Sequence, residues 1–211
     1  MHQNFILLLL ILSFLSCQKK NKTEIVSRND SNLLIGKSTE IDSLYPHDAV
    51  AFEFFNNARQ LYNDEYYDSA VNEIKSSLQI EKGAQALNLA GLIYLKINKD
   101  SSIYYFEKAI EDVPSYYFAH NNLSMVLRMK GEFESSIESS TDGIGVARSS
   151  EDLWGLYLNR CITYTFNDEF DLAQSDLDSA KLLCPNPELL VEFENWFMYH
   201  SGKEGLKEVL N

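Results

Sequence analysis

The side chains able to do chemistry in this 211-residue chain are scattered rather than gathered. Four histidines, His2, His47, His120 and His200, could act as bases or metal ligands, but no two share the i, i+4 spacing that places a pair on one helix face. His120 falls at a helix-seam position and reads as a packed core histidine rather than a ligand. Cys161 and Cys184 could join in an oxidising compartment. Hairpin geometry sets them more than a turn apart, however, and Cys161 reads as a small core thiol. The acidic pairs Asp168/Glu169 and Glu132/Glu134 could share acid–base work, yet both fall at polar turns, where carboxylates are solvated. No Walker loop, Gly-x-Ser-x-Gly, HExxH or zinc spacing occurs, and Gly143-x-Gly145 alone is too short a signal for a phosphate. The expectation is a non-enzyme with no catalytic residue, no metal and no cofactor.

The segments that would position any site are themselves repetitive. Small residues recur at Ala58, Gly91, Ser124 and Cys161, spaced 33, 33 and 37 residues apart. A second series, Ala70, Ser102, Ser136 and Ala173, follows at 32, 34 and 37. Each pair of small residues sits in two amphipathic stretches joined by a polar turn. In the fourth, Tyr157, Arg160-Cys161 and Tyr164 share one helix face, and Asn167-Asp168-Glu169-Phe170-Asp171 turns the chain. Ala173, Leu177 and Ala180 then face inward from a second helix, which Pro185 stops because proline cannot continue the hydrogen-bond ladder. Antiparallel helices approach closely only where neither carries bulk, so the small positions predict crossings, with large neighbours filling the grooves beside them. If the Tyr164 ring is buried between hairpins, its truncation to Ala would cost about 3–5 kcal/mol.

The net charge is −13. Residues 1–50 hold five basic and five acidic side chains, so the repeats carry all of it. Such a field repels phosphate backbones, and nucleic acid is not an expected partner.

The start of the chain has a different character. An apolar run from Phe5 to Leu15 would span only about 16 Å as a helix, too short to cross a bilayer but right for a signal peptide. Phe14-Leu15-Ser16-Cys17 resembles a bacterial lipoprotein lipobox. That resemblance implies cleavage before Cys17 and acylation of it, hence a membrane contact through an N-terminal lipid and a place in the bacterial cell envelope with the repeats in the periplasm. Residues 18–46 are polar, mixed in charge and without helical period, and read as a flexible tether.

A period in the thirties marks stacked helical repeats. The pattern over about residues 51–187 resembles the tetratricopeptide repeat, whose signature runs bulky-x2-Leu-Gly-x2-Tyr, then Ala-x3-Phe, then Pro. Here Leu87, Ala90-Gly91, Tyr94, Ser102, Phe106 and Pro114 carry it in the second repeat, and the other three follow in phase. The expected fold class is all-α: an α-α superhelix, or solenoid, over 47–211. It comprises four hairpins at about 51–83, 84–116, 117–150 and 154–187, then a C-terminal capping helix within 188–211. About three extra residues precede the fourth repeat.

The resemblance implies that the first helix of each hairpin lines a concave groove that takes an extended peptide or a helix. The groove candidates it supplies are Phe52, Phe55, Asn56, Arg59 and Tyr62 in the first repeat and Asn88, Leu89 and Leu92 in the second. The third supplies Asn121, Asn122, Met125 and Arg128, and the fourth Leu158, Asn159, Ile162 and Phe166. Asn56, Asn122 and Asn159 recur at one place in the repeat, where an amide can bond a ligand's backbone or a local group of its own chain. Some proteins of this kind clamp a terminal carboxylate with lysines. Phe55, Asn88 and Asn121 stand at those positions, so that clamp is not expected. The function expected is a membrane-anchored scaffold binding a protein or peptide partner. An alternative is a structural subunit of an envelope assembly that uses convex or end surfaces; a further alternative is an enzyme.

Overall fold

A computed structural model describes residues 46–202. Among them are nine α-helices and no strand. In chain order the first eight are α1 (Ala49–Asn63), α2 (Tyr67–Ile80), α3 (Ala84–Leu95), α4 (Lys99–Asp112), α5 (Tyr117–Lys130), α6 (Phe133–Val146), α7 (Ser150–Phe166) and α8 (Phe170–Leu183). They pair as four antiparallel hairpins, the helical-repeat superhelix that the periodicity predicts. Successive hairpins stack, α2 on α3, α4 on α5 and α6 on α7. First helices also meet their counterparts, α1 with α3, α3 with α5 and α5 with α7, while no two second helices meet to a similar extent. The first helices therefore line the inside of the curve.

Helix ends follow local chemistry. Asp48 caps α1, its carboxylate accepting from the Val50 and Ala51 amides at 2.9 and 3.0 Å. Asn98 and Ser149 cap α4 and α7 in the same way. Seven residues after the small position of each first helix the hairpin turns. Glu65, Gly131 and Asp168 take left-handed backbone there, with φ of 65°, 81° and 60°. In the second hairpin Asn98 stays extended (φ −152°) and caps instead, which is why that turn is a residue shorter. The extra residues before the fourth repeat add a turn to the start of α7, giving it 17 residues against 14 in α5.

The small residues do sit at crossings. Ala58, Ser124, Cys161, Ala70, Ser102, Ser136 and Ala173 are all 0% exposed. The crossings are bolted by hydroxyls: Ser102 Oγ donates to the Gly91 carbonyl at 2.7 Å and Ser136 Oγ to the Ser124 carbonyl at 2.8 Å. A Cβ on Gly91 would lie 2.4 Å from Phe106 Cε1, so the Phe106 ring occupies the place of the missing side chain. Phe106 packs with Leu123, Val126 and Leu127 of the next hairpin, and its burial contributes about 1.5–3 kcal/mol. The third hairpin crosses on hydroxyls rather than methyls. Ser124, Ser136, Ser140 and Thr163 hydrogen-bond one another, and no fully buried polar side-chain atom of the described residues lacks a partner.

The compact unit that holds the four hairpins ends at Pro185. The next residues belong to another unit, containing a 3-10 turn, Pro187–Leu190, and α9, Val191–His200, in the segment expected to form the cap. Phe193 and Phe197 are buried in it. The lipobox with Cys17, the tether up to residue 45 and residues 203–211 lie outside the described residues. Among the described residues no helix is long and apolar enough to cross a membrane.

Candidate functional site

Because the first helices lie inside the curve, the groove candidates can be followed along them. Phe52 and Phe166 are both 42% exposed and stand in the first and last of these helices. Phe52 stacks on Phe55 and Phe166 on Phe133, with centroids 6.1 and 6.4 Å apart. Arg59 is exposed; Asn56, Tyr62, Leu92, Asn122, Met125 and Leu158 are partly buried. Phe55 and Leu89 belong instead to the core between α1 and α3, at 3% and 6% exposure, with Ala58, Ile74 and Ile93. Their side chains are consumed by packing and offer a ligand no surface, which corrects their assignment to the groove. Ile162 is mostly buried as well. Tyr62 packs against that core and Tyr67, and burial pushes its phenol up.

The recurring amides are engaged within the protein. Asn122 Nδ2 donates to Asn88 Oδ1 at 2.9 Å, joining α5 to α3. Asn159 Nδ2 donates to the carbonyl and Oδ1 of Asn121 at 2.9 and 3.1 Å, joining α7 to α5. Asn56 bonds within its own helix, donating to the Phe52 carbonyl and accepting from Arg59. Of the two roles open to these amides, the structure shows the local one. Arg128 completes the row: its Nη1 donates to Asn159 Oδ1 at 2.7 Å and to the Asn159 carbonyl at 3.1 Å. It is 8% exposed, and burial holds its guanidinium down to about 10.

A residue pair that the sequence reading missed closes the fourth hairpin, and one further bond from it reaches the third. Arg160 Nε and Nη2 each donate to an Asp176 carboxylate oxygen at 2.8 Å, and Nη1 donates to Thr141 Oγ1 at 2.9 Å. The guanidinium also lies 5.7 and 5.8 Å from the Tyr157 and Tyr164 ring centroids. Tyr164 is thus half-buried and laid against a cation rather than enclosed between hairpins, so the condition set for its larger cost is not met. The only advance signal was Arg160 followed by an acid sixteen residues on, a spacing that matters only once the hairpin closes.

Other candidates for chemistry are placed as structural groups. His120 is 7% exposed with Nε2 2.9 Å from the Pro114 carbonyl. Cys161 and Cys184 are separate buried thiols, and burial pushes the Cys161 thiol far up. Asp168 stands in its left-handed turn, and Glu132 pairs with Lys130 at 2.8 Å. Among the described residues no cluster of His, Cys, Asp or Glu could hold a metal ion. A surface cleft of about 590 Å³ opens on the other side of the hairpins, lined mainly by α2 and α4, with Lys75, Lys82, Lys108, Tyr104 and Tyr105.

No family model matches the sequence, and no curated protein matches it at a significant level. Solved structures do. MamA aligns at a TM-score of 0.58 and 18% identity, over 63% of this chain and 77% of its own. YrrB, described as "a TPR protein with an unusual peptide-binding site", aligns at 0.58 and 16%, over 69% and 74%. TTC0263, a thermophilic TPR protein of Thermus thermophilus, aligns at 0.56 and 21%, over 73% and 89%. At these identities the likeness concerns fold: the hairpins of this chain have the tetratricopeptide-repeat architecture.

Proposed function

We propose that the chain is a scaffold whose first-helix face binds an extended segment of another protein. The observation that carries this reading is the composition of that face. Open aromatic rings, Phe52 and Phe166, stand in its two outermost helices, with partly buried Leu92, Met125 and Leu158 between them and a rigid amide row alongside. Apolar anchors on a pre-organised face suit a segment that brings its own apolar side chains. The peptide-binding site named for YrrB supports the reading by fold analogy. The charge of −13 favours a protein partner over a nucleic acid. Cys17, acylated, would hold the scaffold to a bacterial membrane with the repeats in the periplasm. Crosslinking in cells followed by partner identification tests this, with Phe52→Ala plus Phe166→Ala expected to weaken capture at least tenfold. Capture of the same partner undiminished by that double variant would overturn it.

The cleft between α2 and α4 favours a second reading, a structural subunit that docks through its outer face. Under it, Tyr104→Ala with Lys75→Glu would break the assembly while the Phe52/Phe166 variant left it whole.

A further inference from the structure

The two arginines of the last hairpins form a natural comparison. Arg160 presents its Nε–Nη2 edge to Asp176, one hydrogen bond to each carboxylate oxygen. That planar fork is the geometry a guanidinium offers a carboxylate. Arg128 is the more deeply buried of the two residues, yet only its Nη1 is engaged, and by the neutral Asn159. No carboxylate of the described residues lies within 4.0 Å of it. Its Nε and Nη2 meet no protein acceptor among those residues. Since no fully buried polar side-chain atom there lacks a partner, that edge reaches solvent. A buried cation without a counter-charge is costly to keep. Here it is held in one place: Asn159 fixes the guanidinium, and Asn121 fixes Asn159. Arg128 and Met125 stand one turn apart on α5, a helix of the inner row.

We propose that the open edge of Arg128 is the anchor for a side-chain carboxylate, an Asp or Glu of the segment that the first-helix face binds. The proposal rests on the peptide-binding reading above and adds the chemistry of one contact. The narrow opening selects the source. Arg128 as a whole is 8% exposed, and so small an opening suits a carboxylate carried on a thin methylene stem. A chain terminus would have to bring a whole backbone and its last side chain. The position also differs from that of the lysine clamp for chain ends, whose places Asn88 and Asn121 occupy.

The test uses the full chain with Cys17→Ser, so that it can be handled without lipid. Peptides selected from a random library fused at its C-terminus, and so without free carboxyl ends, serve as probes. The expected binders share an acidic residue and weaken at least tenfold when it is changed to Gln or Asn. They weaken similarly on Arg128→Met, and less on Arg128→Lys. Arg128→Met should keep the fold, the loss of its charge offsetting in part the Asn159 oxygens it strands, so thermal unfolding serves only to show that the variant is folded. If that variant fails to fold, the acid-to-amide change in the peptide and Arg128→Lys decide. Binders that lack acids, or that ignore both changes while still responding to Phe52→Ala plus Phe166→Ala, would overturn the anchor and leave the peptide face standing. Selection of no binder, or only of binders indifferent to all these changes, would overturn both.

Discussion

Replacing Gly91 by alanine tests the crossing on which the second hairpin depends. Alanine favours a helix interior over glycine by about 1 kcal/mol, so on local grounds Gly91→Ala should stabilise. The tertiary structure says the reverse. The new methyl would sit 2.4 Å from Phe106 Cε1 and 2.5 Å from Cδ1, about an ångström short of ordinary contact. The ring cannot withdraw, because Phe106 is 0% exposed and Leu123, Val126 and Leu127 close the space behind it. Overpacking of this kind costs about 1–3 kcal/mol, and a clash with a confined ring belongs at the upper end. The net expectation is a loss of about 1–2 kcal/mol after the helix gain. Urea titration followed by far-UV circular dichroism would read it as a lower midpoint with an unchanged slope. Gly145, also helical but with nothing within 4 Å of an added methyl group, is the control. Gly145→Ala should gain about 0.5 kcal/mol, less than the full propensity difference because it lies at the helix end. A third variant isolates the contact: Phe106→Leu should cost less in the Gly91→Ala background than in the parent. A Gly91→Ala chain as stable as the parent, or more so, would refute the close crossing of α3 and α4.

Four further outcomes are expected. Asp176→Ala should destabilise by roughly 2–4 kcal/mol, since it strands Arg160 while that side chain keeps some solvent; thermal unfolding checks this. Tyr164→Ala should cost only about 1–3 kcal/mol, through partial burial and the lost cation–π contact with Arg160, measurable in the same assay. Glu65→Gly should stabilise by about 0.5–1 kcal/mol, because its φ of 65° suits glycine better than an L side chain, while Gly131→Ala should lose about as much in urea titration. In the Cys17→Ser chain, Cys161 should resist a thiol reagent until denaturant is added, as its burial keeps it protonated; rapid labelling of the native protein would contradict the packing described.

Much of the architecture was written in local pattern. Helical spacing, polar turns and the two small-residue series lie within single hairpins, and each follows from how a helix presents one face to its neighbour. They therefore sufficed for hairpin number and crossing points, while the inner position of the first helices came from the resemblance to the tetratricopeptide repeat. Even the shortened second turn had its sign in Asn98, an N-cap residue where its counterparts are Glu65, Gly131 and Asp168.

What the local pattern could not decide is how one hairpin meets the next. Phe55 and Leu89 lie in the same register as open groove residues, and only the approach of α1 to α3 buries them. The amides of Asn88, Asn121, Asn122 and Asn159 could have faced a ligand; they bond one another across 34 and 38 residues of chain. Arg160 finds Asp176 within its own hairpin and Thr141 in the preceding one. Arg128 was legible only as a basic residue on the inner face. That it is buried, held by Asn159 and without a carboxylate is a matter of tertiary packing, because desolvation and ion pairing depend on neighbours in space. The sequence by itself determined a stack of helical hairpins, since periodicity and bulk act over a few residues. Which polar groups the stack consumes, and which edge it leaves open, was settled by the distances between hairpins.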